Sequence, residues 1–171
     1  IKKRFKKNYA ILRYFNVVGA SPSKKIGQIN RNGQLFKNLS LAIKKKKPIF
    51  NIYGNDYKTP DGTCIRDYIH VCDLADIHIK TLLKINVLNK SVTLNCGYGK
   101  GFSVYQVVNK FKKYSNKEVK IKIKKRRRGD LVKMVAKINN LRKFLKWKPK
   151  FYNLEKMVKS SINWEKKINS Y

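Results

Sequence analysis

Short β-prone apolar runs alternate along this chain with stretches whose apolar residues recur at helical spacing. That alternation constrains the chain to the α/β class, because strands joined through helices pair in one sheet and are covered by those helices. Residues 9–15, YAILRYF, read as a buried strand ending at Asn16 and Gly19. Residues 20–32 form a polar Gly/Ser/Pro/Asn loop. Leu35, Phe36, Leu39, Ala42 and Ile43 mark a helix that stops in a lysine run before Pro48. Residues 49–53 are a short strand closed by Gly54, and Thr59-Pro60-Asp61-Gly62 is turn chemistry. Residues 64–71 read as one strand, followed by a helix with Asp73 as its N-cap and Leu74, Ile77 and Leu82 on its face.

The pattern continues to the C-terminus. Residues 91–96 are a strand ended by Gly97, and Ser103 with Gln106 fits a capping box before Val104, Val107, Val108 and Phe111. Residues 119–123 alternate as a strand, 124–130 form a basic turn, and helices lie near 138–145 and 154–168, punctuated by Pro149 and Asn153. There are no internal repeats and no dividing linker, so residues 1–171 read as one region. The chain opens on Ile1, and its N-terminus is expected to lie upstream.

Lys and Arg number 42 against 9 Asp and Glu, a net charge of +33. Alone, that balance points to a nucleic acid or another anionic partner. The lysines, however, fall in runs throughout, among abundant Ile and Asn, and no single helix collects them. The expectation is therefore a lysine-rich surface without a nucleic-acid role. With 42% hydrophobic residues the chain can bury a core. Cys64, Cys72 and Cys96 lack metal spacing and read as small core residues in a reducing, cytoplasmic setting. No apolar run is long enough for a membrane span.

Few residues carry chemistry on their own evidence. Arg66 and Asp67 sit mid-strand among apolar neighbours. A mid-strand Arg needs an anion, which either a diphosphate or an internal Arg–Asp pair supplies. Arg126-Arg127-Arg128-Gly129-Asp130 offers phosphate-binding forks and a carboxylate able to accept from ribose hydroxyls; a solvated basic loop is the alternative. His70 and His78 read as structural. Gly97-Tyr98-Gly99-Lys100-Gly101 lacks the GxGxxG spacing and reads as a strand-to-helix turn.

Four blocks resemble UDP-glucose 4-epimerases of the NAD-dependent epimerase/dehydratase, or extended short-chain dehydrogenase/reductase, family. They are residues 12–20 (LRYFNVVGA), 52–75 with TPDGTCIRDYIHV at their centre, 94–104 (LNCGYGKGFSV) and 126–130 (RRRGD). LKWKP at 145–149 resembles the near-terminal motif more weakly. The resemblance implies the C-terminal, UDP-sugar-binding part of a Rossmann-type fold, with residues 9–15 as its last core strand. The Gly-rich NAD loop, the Tyr-x-x-x-Lys pair and its Ser/Thr precede LRYFN in that family and do not precede it here, so no catalytic residue is carried over.

By resemblance, Phe15 faces the nicotinamide of NAD, Asn16 the diphosphate, and Gln34 and Leu35 border it. Gln34 departs mildly from the usual Asn or His. Asn51, Ile52 and Tyr53 meet uracil through their backbone, Arg66 and Arg127 hold the diphosphate, Asp130 binds ribose, and Met134 falls where room for the hexose is set. The implied reaction interconverts UDP-glucose and UDP-galactose through a transient 4-keto sugar, in galactose metabolism, in a homodimer when full-length. The segment alone is expected to be inactive. Alternatives are another UDP-sugar epimerase or dehydratase, or a decayed basic domain that binds nucleic acid.

Overall fold

The computed structural model of the chain describes residues 7–30 and 34–168. In chain order it places β1 (Ala10–Tyr14), β2 (Asn16–Val18), α1 (Leu35–Ala42), β3 (Ile49–Tyr53), β4 (Ile65–Arg66), β5 (Tyr68–His70) and α2 (Val71–Leu88). After these come β6 (Val92–Cys96), β7 (Phe102–Ser103), α3 (Val104–Ser115), β8 (Lys120–Lys124), β9 (Lys133–Met134), α4 (Asn139–Leu145) and α5 (Leu154–Lys167).

Pairing is mostly parallel, as crossovers through helices require. β1 runs beside β6 with Ala10 opposite Val92 and Tyr14 opposite Cys96. β2 pairs with β5, and β3 with β8, both in parallel. β4 is the middle of a three-stranded sheet, antiparallel to β7 and parallel to β9. One apolar core joins these pieces, with Leu39, Ile69, Ile77, Leu94, Phe111 and Met157 wholly inside it. Pieces that share one core cannot separate without exposing it.

Three sequence expectations change. The strand expected over 9–15 forms as β1, but it is not buried: Ile11 is 41% and Tyr14 54% exposed. Its only ladder among the described residues is β6, so its outward face has no covering layer there. The single strand expected over 64–71 breaks at Asp67 into β4 and β5, which join different sheets. Its cause is the Asp67 carboxylate, fully buried and accepting the N–H groups of Tyr98 (2.9 Å), Gly99 (2.8 Å) and Ala136 (3.2 Å). The helix N-cap is His70 instead of Asp73: the His70 Nδ1 accepts the Cys72 N–H at 3.2 Å. Asp73 sits in the first turn, drawn inside by Tyr98 and by the N–H groups of Lys150 and Phe151.

Other local signals translate directly. The Ser103 hydroxyl accepts the Gln106 N–H at 3.1 Å, and the Gln106 side chain accepts the Ser103 N–H at 2.9 Å, closing the capping box of α3. The 59–62 turn ends at Gly62, where φ is +75° and an added Cβ would fall 2.0 Å from the Asn55 carbonyl oxygen. At Gly97 a Cβ would meet Ala136 at 2.6 Å and the Asp67 carboxylate at 2.7 Å. The glycine there permits close packing onto Asp67, in keeping with its reading as a turn. The two-residue strands β7 and β9 and the three-residue β2 escape sequence reading, being too short to show a period.

Candidate nucleotide-binding site

A cavity of about 500 Å³ opens where the elements converge. β2 brings Asn16 to it, the start of α1 brings Gln34 and Leu35, β3 brings Asn51, Ile52 and Tyr53, β4 brings Arg66, and the turn after β8 brings Arg127. Eight residues from five separate stretches of sequence thus line one space. Phe15, at the β1–β2 junction, is half-buried, packs against the core and lies outside this lining. Asp130 stands behind the two arginines and outside the lining as well. Met134 neighbours Arg66 in the β4–β9 ladder and does not reach the cavity wall.

The two arginines are held differently. Arg66 donates from Nη1 to the carbonyl oxygens of Ile65 (2.9 Å) and Leu131 (2.7 Å), and its Nη2 lies 3.7 Å from Asp130. Arg127 donates from Nε to Asp130 at 2.9 Å and lies over the Tyr53 ring, 4.9 Å from its centroid. Arg126 turns away to pair with Asp56 at 2.7 Å and stack on Tyr57 at 4.1 Å. Of the three consecutive arginines, only Arg127 faces the cavity. Asp67, beside Arg66 in sequence, belongs to the buried network and not to this cluster.

Several lining residues had no place in the sequence reading. Asn38, Leu41 and Lys45 join Gln34 on one side of α1 and its end, at spacings of four, three and four. A second helical stripe beside the core stripe was the available signal. Cys64 also lines the cavity, but burial pushes its thiol pKa up, which keeps it protonated and a poor nucleophile. The Asn16 side-chain carbonyl is buried without a hydrogen-bond partner among the described residues. An unsatisfied buried acceptor is costly, so this position suits a ligand that donates.

Nothing in this arrangement resembles a catalytic acid–base pair. The Tyr-x-x-x-Lys spacing occurs at Tyr152 and Lys156, but Asn153 between them caps α5, so the two do not share a helical face. Tyr152 packs edge-on against Tyr98, with centroids 4.9 Å apart. His70 is buried and stacked on Phe151 at 4.4 Å, and His78 bonds to the Leu74 carbonyl oxygen at 2.8 Å and to the Tyr14 hydroxyl. Among the described residues no cluster of His, Cys, Asp or Glu could hold a metal ion, and no helix is long and apolar enough to cross a membrane.

Parallel strands crossed by helices, with a cavity bordered by Arg66 and Arg127 where loops converge, define an α/β protein with a candidate site for an anionic ligand. A family model described as the NAD dependent epimerase/dehydratase family matches residues 1–97, and the chain belongs to that family. A UDP-glucose 4-epimerase of Azospirillum brasilense is 43% identical over 159 residues, covering 92% of this chain and 46% of the relative. The crystal structure of a Stenotrophomonas maltophila UDP-glucose-4-epimerase with bound NAD and formylated UDP-arabinopyranose superposes with a TM-score of 0.90 at 33% identity, covering 95% of this chain and 49% of that one. A Bifidobacterium longum UDP-glucose 4-epimerase in complex with NAD+ and UDP gives 0.79 at 35% identity, covering 96% and 49%. The chain spans about half the length of the curated relatives it matches.

Proposed function

We propose that this chain is the UDP-sugar-binding part of a UDP-glucose 4-epimerase, which interconverts UDP-glucose and UDP-galactose. The observation that carries the reading is the convergence of Asn16, Gln34, Leu35, residues 51–53, Arg66 and Arg127 on one cavity. In it, Arg66 and Arg127 hold the diphosphate, the backbone of Asn51, Ile52 and Tyr53 meets uracil, and Asp130 accepts from ribose. Asn16, Gln34 and Leu35 border the diphosphate and the sugar. Binding energy is thereby placed on the nucleotide, away from the reacting carbon, which leaves the hexose free to present either face.

NAD, when bound, supplies the hydride acceptor for C4 of the sugar. Phe15 stands at the C-terminal end of β1, where parallel sheets take their cofactors, and is the one residue here assigned to its nicotinamide end. The residues of this chain orient the nucleotide and move no proton themselves. The same reading carries residues 1–171 as a single region, a homodimeric full-length enzyme in the cytoplasm, and no nucleic-acid partner. The single region is supported by the one shared core, and the cytoplasmic setting by the three free cysteines.

Calorimetric titration with UDP and AMP tests it. The chain is expected to bind UDP selectively, with little loss on added salt, and not to convert UDP-galactose with NAD on its own. Equal binding of AMP, or steeply salt-dependent and sequence-indifferent binding of RNA at the same surface, would overturn the reading.

A further inference from the structure

α1 forms one wall of the candidate site, and its turn about its own axis decides which side chains face a ligand. Gln34, Asn38, Leu41 and Lys45 line the large cavity. Gln34 also lines a second cavity of about 310 Å³, together with Val18, Gly27 and Gln28. On its other sides α1 lies against α5, α3 and β3. Much of that packing is apolar: Phe36 meets Tyr68 and Phe111 with ring centroids 5.1 and 5.4 Å apart, and Leu39 is wholly buried. Apolar contact is non-directional, so it holds a helix in place without strongly fixing its rotation.

A directional contact lies inside this packing. The Lys37 Nζ donates to the Glu165 carboxylate of α5 at 2.6 Å and to the Gln28 carbonyl oxygen at 3.2 Å. The two side chains are 4% and 3% exposed, and among the described residues no other ion pair is buried on both sides. The Gln28 carbonyl oxygen also accepts the Trp164 indole N–H at 2.8 Å, and a Cβ at Gly27 would fall 2.5 Å from the Trp164 ring. Lys37 thus ties together α1, α5 and the segment that walls the second cavity.

A buried ion pair is a weak source of stability, because taking two charges out of water offsets most of their attraction. Its directional hydrogen bonds suit it better to selecting one arrangement among several that pack equally well. We propose that Lys37 is a positioning residue: paired with Glu165, it sets the rotation of α1 and so places Gln34 and Asn38 against the bound nucleotide. The proposal rests on the UDP-sugar reading for the identity of the ligand, while the orientation of α1 is measurable without one.

The test combines Lys37→Met with Glu165→Gln, which removes both charges at nearly the same volume and leaves the Gln28 carbonyl oxygen its Trp164 donor. Thermal melts and calorimetric titration with UDP are run on this double variant, on Glu165→Gln alone and on the wild type. The double variant is expected to keep its thermal midpoint and to bind UDP about tenfold more weakly, and Glu165→Gln to lose a few-fold. Its crystal structure is expected to show α1 turned, with Asn38 out of the cavity lining. Wild-type affinity in the double variant overturns the proposal. So does a thermal midpoint that falls together with the affinity, which would make the pair an ordinary support of the core. Where the double variant does not fold, Glu165→Gln is judged by the same two criteria. A wild type that binds no UDP would sink the UDP-sugar reading, while the orientation of α1 in the two crystal structures still decides the role of Lys37.

Discussion

The Tyr98 hydroxyl donates to the buried Asp73 carboxylate at 2.7 Å, and the same hydroxyl accepts the His70 N–H at 3.1 Å. One phenol thus joins the β6–β7 connection to the end of β5 and the first turn of α2. Asp73 extends the link to the C-terminal segment by accepting from Lys150 and Phe151. The stretch that carries Arg66 is anchored at its far end by this network. Tyr98→Phe is expected to cost about 1–3 kcal/mol, since it strands buried polar groups, and Asp73→Ala more, since it strands three donors. Denaturant melts of the two variants measure the order.

Arg66 and Arg127 are expected to differ in their response to substitution by lysine. Arg66 is 13% exposed and also holds the Leu131 carbonyl oxygen, whereas Arg127 is 57% exposed. A lysine cannot reproduce the planar fork at Arg66, and a buried charge contact is screened less. Arg66→Lys is expected to weaken UDP binding about tenfold or more, and Arg127→Lys by a few-fold. Titration of both variants checks the ranking, and a larger loss at Arg127 would contradict it.

Stability is expected to fall on mild acidification. Burial holds the His70 imidazole at about 4, below its ordinary 6.5, despite the nearby Asp73 carboxylate. Between those values the unfolded chain binds a proton that the native state does not, so stability drops as pH falls from about 6.5 towards 4, by about 3 kcal/mol over the full span. Asp67 acts in the opposite sense: burial raises its carboxyl pKa, so its contribution declines as pH rises above 3.8. Unfolding free energies measured against pH are expected to rise across this window in the wild type and to flatten in His70→Gln.

The exposed side of α2 is expected to limit solubility of the chain. Ile79, Leu82, Leu83 and Val87 are 61%, 59%, 62% and 82% exposed and form one stripe, and the Tyr14–His78 contact continues that side onto β1. Contiguous apolar surface of this kind drives self-association. Leu82→Lys with Val87→Glu is expected to raise the concentration at which light scattering begins, with the thermal midpoint little changed.

Much of the candidate site was legible in residue order, because its parts lie in short motifs with their own local logic. The strand over residues 49–53, the turn at 59–62 and the capping box at Ser103 need only neighbours within a few positions. Asn16, Arg66 and Arg127 were nameable because they sit in blocks that resemble the family, and Gln34 because it stands just before the helix that begins at Leu35. The inner side of α1, with Asn38 and Lys45, was not nameable, since a polar stripe beside the core stripe reads equally as a solvent-facing side.

By itself, the sequence determined the α/β alternation, the family blocks and the excess of positive charge, all of which depend on composition and short-range spacing. Only the tertiary structure decided the partners. Asp67 follows Arg66 in the chain yet turns into the core to meet the N–H groups of Tyr98, Gly99 and Ala136, while Arg66 finds Asp130. A buried carboxylate takes whichever donors the packed backbone brings to it, and that choice is made across tens of residues. The same long-range packing replaced Asp73 with His70 as the cap of α2 and left β1 half-exposed, outcomes set by which layers cover each face and not by the order of residues within it.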